Sequence, residues 1–199
     1  MKTIELKTPI LEEVIRKLRV GDTIYYTGTL FTARDAAHKR ILQHLQNGKK
    51  LPFSINGAPL YHCGPLVRQT STGWTVIAAG PTTSMRMEAY EEDMIKNLGV
   101  RLIIGKGGMG EKTVRIMKEF GAVYGTFTGG AAVLASKYVK KVRDVQWLDL
   151  GVPEAIWVLE VEKFGPLIIC IDSYGNNLYA KVQAEAENNK AKILENPSL

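Results

Sequence analysis

A run of apolar residues that leads directly into a glycine-rich segment constrains this chain more than any other feature. Residues 100–104 (VRLII) have the composition of a buried β-strand, and residues 105–110 (GKGGMG) follow without a break. Glycines allow positive φ angles and close backbone approach, so the N–H groups of such a loop can bind an anion. We expect a helix over Glu111–Phe120 to add the partial positive charge of its N-terminus, and Lys106 to add a full charge. The alternative is an ordinary strand-to-helix turn without a ligand, since the spacing matches neither a P-loop nor a dinucleotide-binding motif.

The rest of the sequence alternates apolar or β-branched runs with segments of helical periodicity, which predicts an α/β fold. At 199 residues the chain can bury a substantial core, and no linker, repeat or low-complexity segment divides it. We therefore expect one compact domain over residues 1–199, with a charged tail or helix over residues 181–199. The predicted strands are 22–29, 58–62, 74–79, 100–104, 122–126, 156–161 and 167–172, and the predicted helices are 8–18, 32–46, 85–98, 111–120 and a helix start at 129–135.

Cysteine content and charge pattern exclude several classes of protein. Cys63 and Cys170 are too few for a disulfide framework, for the usual zinc spacing or for the thiolates of an iron–sulfur cluster. The net charge of +6 comes from lysines and arginines that are spread along the chain without interleaved aromatic residues, so we expect no nucleic-acid partner. The sequence has no apolar run of about 18 residues and no hydrophobic signal core, which predicts a cytoplasmic protein without a membrane partner.

Two further strand-to-helix junctions carry arginines. Arg34 and His38 are four residues apart in a predicted helix, so they share one face of its first turns. The segment GPTTSMR ends at Arg86, one turn into the next predicted helix, for which Thr83 or Ser84 is a suitable N-cap. An arginine offers a planar fork to a carboxylate, so three such junctions at one sheet edge would suit a dicarboxylate. The alternatives are surface charges, helix capping and a structural histidine.

Taken in order along the chain, these segments resemble the iron–sulfur hydro-lyases, and specifically the β subunit, or C-terminal domain, of class I fumarate hydratases and L-tartrate dehydratases. The resemblance implies a swivelling β/β/α domain that forms one half of an active site. It also implies an α subunit whose three cysteines hold a [4Fe-4S] cluster with one open iron, a Lewis acid toward the substrate, so this chain would ligate no metal. The segments that carry the resemblance are residues 28–38, 80–86, 105–109, 128–132, 147–157 and 164–176.

The resemblance further implies roles for individual residues. Cationic side chains would bind the two carboxylates of a small dicarboxylate, and a threonine would abstract the proton. A threonine hydroxyl is a very weak base, so either the neighbouring cations favour its alkoxide or it only positions the substrate. The implied site comprises Thr82 and Lys106 as catalytic residues, Arg34, Arg86, Lys106 and Gly107 as substrate-binding residues, and His38 as a further candidate.

The implied reaction is the reversible addition of water to a C=C bond, with fumarate to malate as the main expectation and L-tartrate dehydration as the alternative. The complete enzyme would be a hetero-oligomer, with a homodimer as an alternative state of the isolated chain. A non-catalytic dicarboxylate-binding protein of the same fold and a basic nucleic-acid-associated protein stay as alternatives from other classes. An enzyme with another metal ranks below them, because the sequence shows no clustered His, Asp and Glu ligands and His44 and His62 have no local partners.

Overall fold

Alternating strands and helices build a mixed α/β domain in the computed structural model, which describes residues 1–71 and 73–195. The strands are β1 Thr3–Lys7, β2 Thr23–Ala33, β3 Leu60–His62, β4 Leu66–Thr70, β5 Gly73–Ala78, β6 Leu102–Gly105, β7 Val123–Thr126, β8 Val139–Gln146 and β9 Ile156–Ile171. The helices are α1 Glu12–Ile15, α2 Asp35–Gln46, α3 Glu91–Lys96, α4 Glu111–Phe120, α5 Ala132–Lys137 and α6 Leu178–Glu195, and two 3-10 helices span Ser84–Met87 and Leu148–Leu150.

The main sheet has seven strands in the order β1-β2-β3-β6-β7-β9-β8. The first five are mutually parallel, because helices and loops carry the chain back between them. The long strand β9 runs antiparallel to β7, β8 and also β2, so the sheet closes on itself. Strands β4 and β5 form a separate antiparallel hairpin.

Apolar residues cover both faces of this sheet, as expected for strands that are buried on two sides. Successive residues of β2, Leu30 and Phe31, enter two different hydrophobic clusters, and so do Leu102 and Ile103 of β6. The first cluster lies inside the closed sheet and includes the completely buried Trp157, while helices α2, α3 and α4 cover the second.

Several predicted elements have different bounds in the structure. The predicted helix at 85–98 is divided into a 3-10 helix and α3, and the predicted helix at 8–18 shrinks to the four residues of α1. The predicted strands at 156–161 and 167–172 are one strand, β9, in which Lys163 and Gly165 have positive φ angles. The register of its pairing with β2 shifts on either side of Tyr26, which lies opposite Phe164. Residues 163–165 therefore form a β-bulge within β9 and do not end the strand. Strands β1, β4 and β8 were not predicted.

The charged C-terminal segment predicted at 181–199 is helical in its described part, where α6 extends to Glu195; residues 196–199 lie outside the described residues. Within residues 1–71 and 73–195, no helix is both long enough and apolar enough to cross a membrane.

Candidate active site

The three predicted junctions meet at one edge of the sheet. Those at Arg34 and Lys106 follow the parallel strands β2 and β6, whereas residues 80–86 follow β5 of the separate hairpin and reach this edge through backbone contacts with the ends of β3 and β6. Strand β2 ends just before Arg34, β3 ends at His62, and β6 ends just before Lys106. The backbone N–H of Thr82 donates to the carbonyl of His62 at 2.7 Å, and the N–H of Lys106 donates to the carbonyl of Thr82 at 3.3 Å. The N–H of Ser84 donates in turn to the carbonyl of Lys106 at 2.9 Å. The threonine-containing segment therefore lies between the ends of β3 and β6, and we call this region the cationic edge.

Arg34 is held in place by an acidic residue from a distant loop. Its Nε atom lies 3.3 Å from Oε1 of Glu154, whose other oxygen accepts a hydrogen bond from the N–H of Ala36 at 2.9 Å. A Cβ atom on Gly64 would lie 2.6 Å from Cδ of Arg34, so only glycine lets the side chain pass here. The Arg34 side chain is 28% exposed, which leaves part of it accessible to a ligand.

Arg86 is paired with Asp35 at the start of α2. Its Nε and Nη2 atoms donate to the two oxygens of Asp35 at 3.0 and 2.6 Å, a bidentate arrangement. Partial burial raises the pKa of Asp35, but the hydrogen bond and charge of Arg86 outweigh it, so the pKa lies below its ordinary value. Asp35 therefore connects two of the junctions, a role that its position near a helix N-terminus did not reveal.

The glycine-rich loop presents its lysine to solvent. Lys106 and Gly107 are exposed, and Gly107 and Gly108 have φ angles of 86° and 107°, which other residues rarely adopt. A Cβ atom on Gly129 would lie 3.6 Å from Cδ of Lys106, so the loop after β7 flanks the lysine. Since Arg86 is exposed as well, the cationic edge is an open surface.

The N-terminus of α4 is occupied by a carboxylate of the chain itself, which contradicts the expected anion site there. Glu88 accepts hydrogen bonds from the N–H of Gly110 at 2.8 Å, the N–H of Thr113 at 3.0 Å and the hydroxyl of Thr113 at 2.7 Å. These are donors that a helix start offers to an anion, and Glu88 neutralises the partial charge of the helix. The contribution of this junction to a ligand site is therefore the loop and Lys106.

The three hydroxyl residues do not cap a helix as predicted. Thr83 occupies the N-cap position of the 3-10 helix without a side-chain cap hydrogen bond. Ser84 is completely buried, and its hydroxyl lies 2.9 Å from Nδ1 of His62 and accepts a hydrogen bond from Tyr124 at 3.0 Å. Thr82 is half-buried at the cationic edge.

A cluster of titratable residues lies beneath the cationic edge, which corrects the expectation that no His, Asp and Glu ligands are grouped. His38 from α2, His62 from β3 and Glu91 from α3 are completely buried, and their ligand atoms all lie within 4.8 Å of one another. Burial lowers the pKa of His38 to about 4 and of His62 to about 3, and it raises the pKa of Glu91 to about 7. Such a set can hold a metal ion or share a proton.

Glu91 was missed because its partners lie on other elements. The sequence did carry a signal, since Glu91 shares one helix face with Met94 and Ile95, both completely buried. A carboxylate on an apolar face needs a partner inside the protein.

The two cysteines do not fit an iron–sulfur cluster. Both are buried and free, and two thiols are fewer than the three or four that hold such a cluster. Among the described residues, the one group of three candidate metal ligands contains neither cysteine.

An open edge with two arginines and a lysine is suited to a small anion with more than one carboxylate. Comparison with known proteins specifies the family. Residues 1–182 match the family described as Fumarase C-terminus, and the chain belongs to that family. This match confirms the resemblance that the sequence motifs indicated.

Three relatives illustrate the similarity. The chain is 46% identical over 181 residues to the L(+)-tartrate dehydratase subunit beta of Escherichia coli (strain K12), which covers 91% of this chain and 88% of the relative. It is 44% identical over 169 residues to the putative L(+)-tartrate dehydratase subunit beta of Methanocaldococcus jannaschii, which covers 84% and 87%. It is 43% identical over 183 residues to a putative fumarate hydratase class I of Geobacillus stearothermophilus, which covers 92% of this chain but 34% of that relative.

Proposed function

We propose that this chain is the β subunit of a hydro-lyase that reversibly adds water to the C=C bond of a small dicarboxylate. The observation that carries the proposal is the arrangement of Arg34, Arg86 and Lys106 at one edge, where the parallel strands β2 and β6 end and where backbone contacts hold the segment before Arg86 against the ends of β3 and β6. Membership of the fumarase C-terminus family supports the reaction class. A non-catalytic binding protein of the same fold would not need a threonine between these cations.

In this proposal the cations hold both ends of the substrate. Asp35 takes two of the five N–H donors of Arg86, so the others can reach a carboxylate. Arg34, steadied by Glu154, binds in the same way, and Lys106 with Gly107 faces the developing negative charge. Thr82, on the segment between the ends of β3 and β6, either accepts the proton as its alkoxide, which the neighbouring cations favour, or only positions the substrate for another base.

We propose that the remaining part of the active site belongs to a cysteine-bearing α subunit. The open cationic edge supports this arrangement, since its cations stabilise the developing charge far better in a site that a second subunit closes off from bulk solvent. The [4Fe-4S] cluster of the family would be held by that subunit, because Cys63 and Cys170 of this chain do not fit it. The assembly would be a hetero-oligomer in the cytoplasm, and the domain over residues 1–199 would be of the swivelling β/β/α type.

Fumarate hydration, the main expectation from the sequence, and L-tartrate dehydration are the two candidate reactions. The names of the two β-subunit relatives favour L-tartrate, while the relative named as a fumarate hydratase matches only through 34% of its length. Both substrates carry two carboxylates on a four-carbon chain, so the same cations serve either.

The test is an anaerobic assay of the full chain co-expressed with its cysteine-bearing partner, with fumarate and L-tartrate as substrates. Lys106→Ala should lower kcat/KM by about 100-fold or more, because a charge that stabilises the transition state is lost. Lys112→Ala is the matched control, since Lys112 is a half-exposed lysine of α4 that pairs with Glu92. Gel filtration should show that both variants still bind the partner.

Retention of wild-type activity by Lys106→Ala would contradict the proposed site. Activity of the isolated chain with either substrate would contradict the shared active site. Failure with both substrates in the complete assembly would contradict the proposed reaction.

A further inference from the structure

Three completely buried side chains beneath the cationic edge bring their polar atoms together. We call His38 of α2, His62 of β3 and Glu91 of α3 the His–Glu cluster. Nε2 of His62 lies 3.0 Å from Oε1 of Glu91, and Nε2 of His38 lies 3.6 Å from the same oxygen. One ligand atom from each residue lies within 4.8 Å of the other two. Three elements that are remote in sequence therefore present potential metal ligands to one point.

The polar atoms at this point are not paired by hydrogen bonds. Both Nε2 atoms and both oxygens of Glu91 are buried, and none of the four has a hydrogen-bond partner within residues 1–71 and 73–195. The 3.0 Å approach of His62 to Glu91 does not have hydrogen-bond geometry. Buried polar atoms are nearly always paired, and a buried carboxylate needs donors or a cation. Four lone-pair donors that face one another and no other group have the arrangement that a metal ion requires.

Hydrogen bonds on the outer side of each ring orient the histidines. Nδ1 of His38 lies 2.7 Å from the carbonyl of Arg34. A carbonyl only accepts, so Nδ1 carries the proton and the lone pair of His38 is on Nε2, inside the cluster. Nδ1 of His62 lies 2.9 Å from the hydroxyl oxygen of Ser84, which has two lone pairs and can accept from Nδ1 as well as from Tyr124. Metal-binding histidines almost always donate their second N–H in this way.

We propose that His38, His62 and Glu91 bind a zinc ion. Zinc holds nitrogen and oxygen ligands at 2.0–2.2 Å, so neighbouring ligand atoms of a tetrahedral site lie about 3.4 Å apart. The observed separations of 3.0 and 3.6 Å lie on either side of that value. The rings supply two ligands and the two unpaired oxygens of Glu91 can supply two more, so the site needs no water molecule. Imidazole nitrogens favour zinc over magnesium and calcium, which take oxygen ligands.

A zinc site with protein ligands alone is a structural site, and the free energy of metal binding then adds to the stability of the fold. The ion would join α2, β3 and α3 beneath the cationic edge. Two contacts connect the ligands to that edge: His38 donates to the carbonyl of Arg34, and the carbonyl of His62 accepts from the N–H of Thr82. The inference goes beyond the proposed hydro-lyase reaction and does not depend on it.

The first test counts the metal in the full chain, produced without a histidine tag in zinc-supplemented medium so that zinc is present while the chain folds. Inductively coupled plasma mass spectrometry should find about one equivalent of zinc in the wild type and less than about a tenth in Glu91→Gln and in His38→Gln, which each remove a ligand. Glu92→Gln and His44→Gln are the matched controls, because they lie on the same two helices outside the cluster and should keep the zinc.

A second test identifies the ligand atoms and does not depend on the folding of any variant. X-ray absorption at the zinc edge of the wild-type chain should show nitrogen and oxygen ligands without sulfur. Removing the zinc with a chelator should lower the urea midpoint of the wild type and of both controls, because an ion that binds only the folded chain stabilises it. The midpoint of Glu91→Gln should not respond to the chelator.

Three results would overturn the proposal. A wild-type chain without zinc would show that the cluster does not bind this metal. An unchanged zinc content in Glu91→Gln and His38→Gln would place the metal elsewhere. Sulfur among the ligands would assign the zinc to Cys63 or Cys170, which lie outside the cluster.

Discussion

Glu88 should stabilise the domain through the N-terminus of α4, and removing its carboxylate isolates that contribution. Glu88→Ala deletes three hydrogen bonds, at 2.7, 2.8 and 3.0 Å, to Thr113 and Gly110. Charge-assisted bonds contribute roughly 1.5–3 kcal/mol each when buried, but Glu88 is half-exposed and water replaces part of the loss. An N-cap is worth up to about 2 kcal/mol, so we expect the free energy of unfolding to fall by about 2–3 kcal/mol.

Urea and thermal unfolding of the full chain measure this loss. For a domain of this size the change corresponds to a fall in Tm of about 4–12 °C. Glu92→Ala is the control. Glu92 of α3 forms an ion pair with Lys112 of α4, at side chains 37% and 45% exposed, and such a pair contributes less than about 1 kcal/mol. In a double-mutant cycle, Thr113→Val and Glu88→Ala should couple by about 1 kcal/mol. A loss for Glu88→Ala no larger than that for Glu92→Ala would refute the capping argument.

Two other perturbations test the electrostatics of the site. Asp35→Asn should raise KM for the dicarboxylate about tenfold, because Arg86 loses its bidentate partner. Loss of this half-exposed ion pair should lower the free energy of unfolding by less than about 1 kcal/mol. An unchanged KM would contradict this role of Asp35. Stability should also fall from pH 7 to pH 5, as measured by the urea midpoint. In the folded protein the pKa values of His38 and His62 are lowered from 6.5 to about 4 and about 3, so both histidines take up a proton on unfolding in this pH range. The pKa of Glu91 is raised from 4.5 to about 7, so Glu91 releases one proton on unfolding. Two protons taken up outnumber the one released, and acidification therefore favours the unfolded state. A midpoint that rises on acidification would contradict the buried, neutral histidines.

Local sequence pattern predicted where the candidate site residues lie in the fold. A strand followed by glycines or by an arginine is visible within ten residues, which is why the positions of Arg34, Arg86 and Lys106 at junctions were foreseeable. The acidic residues that pair with these cations could not be predicted, because their partners are remote in sequence. Asp35 and Arg86 are 51 residues apart, and Glu154 contacts Ala36 at the start of α2 across 118 residues. Such pairs depend on how the strands and helices pack against one another, which the pattern of a single sequence does not reveal.

The acidic partners order the arginines of the proposed site before any substrate binds. An unrestrained arginine loses about 2 kcal/mol of side-chain entropy when it is fixed on a ligand. Here Asp35 restrains Arg86 and Glu154 restrains Arg34, so most of this side-chain entropy is lost when the chain folds and not when a ligand binds. Both acids also reduce the net charge of the edge, which weakens its attraction for anions in general. In the proposed function, binding then depends on how well carboxylates fit the remaining N–H donors of the two guanidinium groups, which favours a short dicarboxylate over a single carboxylate or a diffuse polyanion.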